Sequence, residues 1–271
     1  MRRRTEHGFS LLEVAVAIAV VAILAAAAAP MVLKALNQQR EERTRRDLKI
    51  AFEALVGSRE RRVPNLRADW GYTPPNGITN DLRVLLAAPP GLGPYGPDPT
   101  NPGLLWGWNG PYWTGATGNV GSVRFPVDGW GRAIRLVAQG GTWQVQSAGA
   151  NGVFGGAVND DLRYPEPGLV SASSQAFVVI NVENATSATL QVTLEATDRN
   201  GGVLRNVITT PPTVFPQTIA PGALGKRVWT YAVNPGPVRV RMSWPPPATN
   251  TATELLDLLP GESRTLSYKI Y

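Results

Sequence analysis

One long apolar segment dominates the start of the chain. The run from Val14 to Leu33 contains no charged residue and lies between Glu13 and Lys34. At about 1.5 Å of rise per residue, a helix of this length reaches roughly 30 Å, the thickness of a bilayer core. We therefore predict a membrane span over residues 14–33. Three arginines precede it, which keeps the first residues cytoplasmic and places the rest of the chain across the membrane.

The helical pattern continues beyond the apolar run. Leucines recur at helical spacing through Leu36, Leu48 and Leu55, which predicts one helix over residues 9–62. Pro30 removes a backbone hydrogen bond and should bend or locally unwind this helix. The densely charged stretch QQREERTRRDLK favours a solvated face with local ion pairs, and salt bridges to a neighbouring molecule are the alternative.

The pattern changes after residue 62, where prolines and glycines become frequent and the apolar runs become short. Residues 80–88 predict a short helix that ends at Pro89. The segments 132–138 and 142–147 alternate as two paired strands, and Gly140 with Gly141 predicts the hairpin turn between them. We expect residues 63–167 to form a small head with an antiparallel sheet.

Alternating runs also fill the last hundred residues, after the linker-like PEPGL segment. These runs are AFVVINVEN, TLQVTLEAT, RVWTYAV, VRVRMSW and RTLSYKIY. Six or seven short strands separated by turn signals predict an immunoglobulin-like β-sandwich over residues 168–271. The predicted fold class is α+β: a long transmembrane helix packed on a small antiparallel sheet, followed by this sandwich.

Composition argues against most enzyme classes. The chain has a formal net charge of +6, no cysteine and a single histidine, His7, which precedes the apolar run. If the leader is removed, the mature chain lacks the commonest general base, the usual zinc ligands and any thiol nucleophile. We predict that the protein is not an enzyme. The sequence indicates no cofactor other than the calcium ion considered below.

Three interpretations compete for the amino-terminal segment. A secretory signal peptide could be cut after the alanines at 27–29, but the apolar run is long and Pro30 would follow the cut. A plain membrane anchor leaves Glu13 unexplained, because a carboxylate costs about 2.5–3.5 kcal/mol at the centre of a membrane helix and less near its end. The third interpretation rests on the stretch GFSLLE at residues 8–13, which resembles the prepilin leader junction of type IV pilins and pseudopilins.

That resemblance implies a specific role for each residue of the junction. A dedicated prepilin peptidase would remove the leader 1–8 by cutting after Gly8, and the new amino-terminal Phe9 would be N-methylated. The family's conserved acid falls on Glu13 and its helix-kinking proline on Pro30. The carboxylate of Glu13 could then pair with the cationic amino terminus of a neighbouring subunit, an attraction that is large in a medium of low dielectric constant.

Two motifs in the head resemble the major pseudopilin of type II secretion. FPVDGWG at 125–131 is similar to that family's turn into a strand, and SAGANG at 147–152 is similar to its glycine-rich loop. The loop often binds calcium in the family, which here would involve Asn151, Asp160 and Asp161. Asn151 replaces an acidic residue, so an ordinary loop with a capping aspartate is the alternative to a calcium site.

Together these patterns predict a structural subunit of a type IV pilus or type II secretion pseudopilus. We expect a minor or specialised subunit, anchored once in the inner membrane with a periplasmic head and assembled with other pilin or pseudopilin subunits. The alternative is a binding module carried on the filament, an adhesin or a competence DNA receptor. A DNA-binding surface would contain Arg239 and Arg241 of one basic strand. Arg227, Arg264 and Lys269 could extend this surface.

Overall fold

The computed structural model describes residues 11–58, 60, 62–72, 77–79, 82–98, 103–120, 123–139, 142–155, 160–166, 175–200, 203–209, 217–221, 226–244 and 250–271. Its first element is helix α1, Leu11–Val56. The helix continues through Pro30 without interruption, so the predicted local unwinding is absent, while a bend at this proline remains a prediction.

Helix α1 ends six residues before the predicted position. Gly57 follows Val56 with a φ of 88° and donates its N–H to the Glu53 carbonyl at 2.7 Å. A glycine in the left-handed region just after the last turn is a common helix terminator, because it satisfies a carbonyl that the helix leaves open. The predicted helix over 9–62 was therefore too long, since periodicity alone does not detect this cap.

The head contains a short helix and eight short strands among its described residues. Helix α2 is Leu66–Trp70. The strands are β1 Gly77–Thr79, β2 Gly96–Pro97, β3 Leu105–Trp106, β4 Thr117–Val120, β5 Val123–Pro126, β6 Arg135–Gln139, β7 Thr142–Ser147 and β8 Leu162–Tyr164. They form an antiparallel sheet in the order β1-β6-β7-β8 and two small hairpins, β2-β3 and β4-β5.

Of two elements predicted for the head, the strand pair β6-β7 is present, and the helix over 80–88 is absent from the described residues. β6 and β7 pair antiparallel as predicted, from Arg135 opposite Gln146 to Gln139 opposite Thr142, although β6 begins three residues late. The turn residues Gly140 and Gly141 lie outside the described part. The helix predicted over 80–88 was wrong: its described part contains only the 3₁₀ turn Arg83–Leu85, whose last carbonyl accepts the N–H groups of the Tyr112 loop.

The last part of the chain is a two-sheet sandwich. Its strands are β9 Ala176–Asn184, β10 Leu190–Asn200, β11 Val203–Asn206, β12 Gln217–Ile219, β13 Lys226–Val233, β14 Gly236–Trp244, β15 Asn250–Leu258 and β16 Ser263–Ile270. One sheet has the order β11-β10-β14-β15, with β12 also on β10, and the other has the order β13-β9-β16. β9 and β16 run parallel, and the other pairs are antiparallel.

Each part has its own apolar core. In the head, the end of α1 packs on the sheet through Leu48, Leu55 and Leu136, all fully buried. In the sandwich, strict alternation turns one face of each sheet inward, as in β9, where every second residue is buried. The α+β class with a carboxy-terminal sandwich is confirmed.

The head and the sandwich are joined by a buried polar interface centred on α2. Arg67 donates to the side-chain oxygen of Asn234 at 2.8 Å, and Arg199 of β10 forms an ion pair with Asp98 of the head. Both members of that ion pair are 6% exposed. Gly71 lies so close to Arg199 that a Cβ there would collide with the Arg199 carbonyl. These contacts hold the sandwich directly against the head.

Candidate assembly site

The first half of α1 projects from the protein as an exposed apolar rod. Leu11, Ile23 and Met31 are 89%, 69% and 76% exposed. Within the described part of the chain, α1 is the one helix long and apolar enough to cross a bilayer, and none of its apolar window is buried against the head. Burial of α1 begins at Thr44, where the helix reaches the head. An apolar surface of this size requires lipid or other helices around it.

The acid predicted to guide assembly lies at the start of this rod. Glu13 is in the first turn of α1 and is exposed. This is the favourable end of the helix dipole for a carboxylate. Gly8 and Phe9, the predicted cleavage and methylation residues, lie outside the described residues. Their roles remain predictions.

The charged part of α1 forms local ion pairs, as the preferred interpretation predicted. Arg45 pairs with Glu41 at 3.0 Å, and Lys49 is 3.8 Å from Glu53, each one helical turn apart. Arg45 also reaches Glu166, just after the head sheet, at 2.9 Å. These side chains are used within the chain, so salt bridges to a neighbouring subunit are not needed to explain the stretch.

The turn that follows β5 fixes the head onto α1. Asp128 is 2% exposed and accepts three hydrogen bonds: from the Trp130 and Arg132 N–H groups at 2.9 Å each and from the Ser147 hydroxyl at 2.6 Å. The carboxylate therefore closes the turn and ties it to β7. The motif recognised in the sequence therefore fixes the position of this turn relative to β7.

Thr44 is the residue of this contact that sequence reasoning missed. Its hydroxyl accepts the Gly129 N–H at 2.9 Å and donates to the Arg40 carbonyl at 2.8 Å. Gly129 approaches α1 so closely that a Cβ would collide with the Arg40 carbonyl. One signal was available, since Thr44 is the only uncharged residue between Arg40 and Asp47.

The same contact changes the electrostatics of Asp47, one turn beyond Arg43 on α1. Burial raises the pKa of its carboxyl, and the charges of Arg43 and Arg46 lower it in part. Asp128 opposes ionisation as well, because it is a second negative charge close by. At the junction between helix and head, the carboxylates of Asp47 and Asp128 therefore lie close together, and Arg43 and Arg46 of α1 partly neutralise the charge of Asp47.

The glycine-rich loop between β7 and β8 brings the predicted calcium residues together. One oxygen of Asp160 accepts the Asn151 N–H at 2.8 Å, and one oxygen of Asp161 accepts the Gly155 N–H at 3.0 Å. The other oxygen of each carboxylate is buried without a hydrogen-bond partner. Two spare carboxylate oxygens fit a hard cation that prefers oxygen ligands.

The loop also supports its ordinary interpretation. Both aspartates act as caps of loop N–H groups, and Arg163 lies 3.5 Å from Asp161. Among the residues that the structure describes, no group of three or more acidic or histidine side chains surrounds a common point. Any further ligands would have to be carbonyl oxygens of the loop, and residues 156–159 lie outside the described part.

The basic residues proposed as a DNA surface do not form one patch. Arg239 and Arg241 point from β14 toward the outer face of the five-stranded sheet, where Arg241 lies opposite Glu195. The other three residues belong to the opposite sheet: Arg227 on β13, and Arg264 and Lys269 on β16. Lys269 pairs with Glu183 at 3.1 Å and Arg264 with Glu262 at 2.8 Å.

Two comparisons with known proteins support the resemblance to pilins and pseudopilins. The model described as the prokaryotic N-terminal methylation motif matches residues 3–29. The chain is 28% identical over 162 residues to the type II secretion system core protein G of Pseudomonas aeruginosa. This alignment spans 94% of that relative but 59% of the present chain. The chain is therefore similar to type IV pilins and pseudopilins, both at its amino-terminal motif and over the aligned 162 residues.

This similarity accounts for the exposed helix. The apolar half of α1 anchors the chain in the inner membrane, with the head in the periplasm, and serves for assembly into a filament. The relative is covered almost completely, yet more than a third of the present chain has no counterpart in that alignment. A large additional part therefore distinguishes this chain from that relative.

Proposed function

We propose that this protein is a minor, specialised subunit of a type II secretion pseudopilus or a related type IV pilus. The prepilin peptidase cuts after Gly8, Phe9 is methylated, and the mature subunit enters the filament through α1. The observation that carries the proposal is the exposed apolar half of α1, joined without a break to a helix end that is buried in the head. Movement of the head is thereby coupled directly to movement of the helix.

Glu13 is the proposed assembly residue. Cleavage creates a cationic amino terminus at Phe9, four positions before the acid. In a lipid environment the pairing of this terminus with Glu13 of an adjacent subunit stabilises both charges, because water no longer screens them. The pairing also selects one axial register, since it needs the two groups at the same depth.

Processing is tested by mass spectrometry of the mature amino terminus, in cells with and without the prepilin peptidase. The expected product begins with N-methylated Phe9 in the first strain and remains unprocessed in the second. A chain cut near the alanines at 27–29, or one left uncut in both strains, would contradict the proposal.

Assembly is tested with Glu13→Ala and with Glu42→Ala, which removes an exposed acid from the same helix. We expect Glu13→Ala to lower the fraction of subunit in sheared filaments about tenfold or more, corresponding to a loss of at least about 1.4 kcal/mol. Glu42→Ala should assemble like the wild type. Equal incorporation of both variants, at equal membrane levels, would remove Glu13 from the mechanism.

The minor role rests on the size and position of the sandwich. It is held against the head by the buried Arg199–Asp98 ion pair, so it travels with every copy of the subunit. A domain of that size on each subunit would thicken the filament considerably. Quantitative mass spectrometry of purified filaments should find this chain at a small fraction of the main subunit, and equal amounts would show it to be a major one.

Calcium binding in the glycine-rich loop is a second proposal for the head. It is supported by the buried oxygens of Asp160 and Asp161 that have no hydrogen-bond partner. A bound cation would neutralise the two carboxylates and hold the loop closed. Millimolar calcium, but not magnesium, should raise the melting temperature of the wild type. The Asp160→Asn/Asp161→Asn variant should lose this response, and a variant that keeps it would exclude the site.

A further inference from the structure

Strand β15 is a long free edge of the five-stranded sheet. All nine residues of β15 pair with β14, from Asn250 opposite Trp244 to Leu258 opposite Gly236. In the part of the chain that the structure describes, β14 is its one strand neighbour. β15 contains neither proline nor a bulge, so its outer side offers a regular row of N–H and C=O groups to another strand, apart from the Asp257 carbonyl, which accepts a hydrogen bond from Arg62.

A cavity of about 390 Å³ follows the second half of this edge. Leu255 and Asp257 from one face of β15 and Leu256 and Leu258 from the other line it, so the cavity lies along the edge rather than under one face. The opposite wall comes from the head and combines polar groups with the apolar residues Val63, Pro64, Leu104 and Leu105. Sites that bind small ligands or side chains commonly have this volume.

The polar groups of the cavity favour a basic occupant. Asp69, Tyr95 and Asn109 face it from the head. At the edge itself, Arg62 forms an ion pair with the Asp257 carboxylate and donates to the Asp257 carbonyl at 2.7 Å. This contact is an example, within the chain, of a guanidinium group satisfying both the charge and the backbone of β15.

Glu254, at the middle of β15, determines which strand can be added. Its pairing partner Val240 is buried, so Glu254 lies on the inward face of the edge strand. The charge of Glu254 also acts on Tyr268 of the other sheet. Burial of Tyr268 raises the pKa of its hydroxyl to about 12, and the negative charge of Glu254 contributes to this rise. If two copies paired antiparallel over all nine residues, Glu254 would face itself, and like charges in opposite positions are destabilising.

We propose that the edge of β15 and the cavity beside it bind an extended segment of a partner protein by strand addition, with a basic side chain opposite Glu254. The backbone hydrogen bonds of the added strand supply affinity, and alternate side chains that enter the cavity supply specificity. This binding site is separate from filament assembly, which uses α1. It gives the sandwich a protein ligand of defined chemistry.

The experiment uses the full-length protein in detergent micelles and two fluorescent nine-residue peptides, one of alternating valine and lysine and one of alternating valine and glutamate. The lysine peptide should bind and slow hydrogen exchange of the β15 amides. Glu254→Lys should weaken its binding about tenfold, because an attractive cross-strand pair becomes repulsive, and should allow the glutamate peptide to bind. Glu42→Lys makes the same charge change on the exposed surface of α1 and should alter neither affinity.

Several results would overturn the proposal. One is a lysine-peptide affinity that Glu254→Lys leaves unchanged, and another is binding without protection of the β15 amides. Dimerisation of the chain through β15, detected by sedimentation and abolished by Glu254→Lys, would identify a second copy as the occupant instead. Because all measurements use unassembled protein, failure of the filament proposal would leave them interpretable. If the reversed charge prevents folding, Glu254→Gln replaces Glu254→Lys. This neutral variant should lose less than tenfold of the affinity for the lysine peptide.

Discussion

Replacement of Asp128 by alanine tests whether the turn after β5 holds the head on α1. The side chain is buried and accepts two backbone N–H bonds and one hydroxyl bond. Its removal leaves three donors without an acceptor in a place that water reaches poorly. The neighbouring Gly129 N–H, which binds Thr44 of α1, would lose its fixed position as well.

The size of the effect follows from these contacts. A hydrogen bond to a charged group contributes about 1.5–3 kcal/mol, and three such bonds in one network are not additive. We therefore expect Asp128→Ala to lower the free energy of unfolding by about 3–5 kcal/mol. Asp128→Asn retains one oxygen for the two N–H groups and should cost about 1–3 kcal/mol.

The measurement is a urea titration of the full-length protein in detergent micelles, followed by tryptophan fluorescence. The midpoint gives the stability change if the slope is the same for all variants. Asp257→Ala is the matched control, since Asp257 also pairs with an arginine but its side chain is 58% exposed. A loss below about 1 kcal/mol is expected there. If Asp128→Ala were no more destabilised than this control, the turn after β5 would not be what holds the head on α1.

Three further predictions concern the interface between head and sandwich. Arg199→Leu should lower the free energy of unfolding by about 3–5 kcal/mol, because the buried Asp98 loses its guanidinium, and adding Asp98→Leu should restore most of it. Gly71→Ala should destabilise more than Gly91→Ala, since both glycines have positive φ but only Gly71 meets the Arg199 backbone. Burial raises the pKa of Asp69 to about 6, although hydrogen bonds from Tyr112 and Asn109 oppose it. Its folded form therefore keeps a proton that the unfolded form releases, and stability should fall by about 2 kcal/mol as the pH rises from about 4 to 6.

The same urea titration checks all three. For Asp69, the comparison is the pH dependence of wild type and Asp69→Asn, which should lack this fall. A wild-type stability that rises over this range relative to the variant would show that the carboxyl is not held protonated. For the ion pair, a double variant that is weaker than Arg199→Leu would contradict the burial argument. If Gly71→Ala lowered the free energy of unfolding no more than Gly91→Ala, the interface would accommodate the added methyl group without strain.

Local patterns were sufficient for the elements that depend on neighbours in sequence. The apolar run before Lys34 is long enough to span a membrane whatever surrounds it, and alternation in β9 or β14 indicates a strand with one buried face. The junction motif and the Asp128 turn are short as well, and each was recognised from a few adjacent residues. Cleavage after Gly8 and methylation of Phe9 remain predictions.

Two helix predictions failed, one at a local cap and one at a long-range contact. Periodicity extended α1 to residue 62, but Gly57 ends it at Val56. Residues 80–88 have helical composition, yet the described part forms only a 3₁₀ turn whose carbonyl serves a loop almost thirty positions later.

The sequence by itself determined a membrane-anchored helix, a head and a sandwich, because these follow from the spacing of apolar side chains. Only the tertiary structure decided strand order, and with it the functional surfaces. Strand order places Arg239 and Lys269 on different sheets, brings Arg199 to Asp98 across 101 positions, and leaves β15 at an edge. The physical reason is that alternation marks a strand but does not specify its neighbour, so the pairing partner is selected by packing between distant segments.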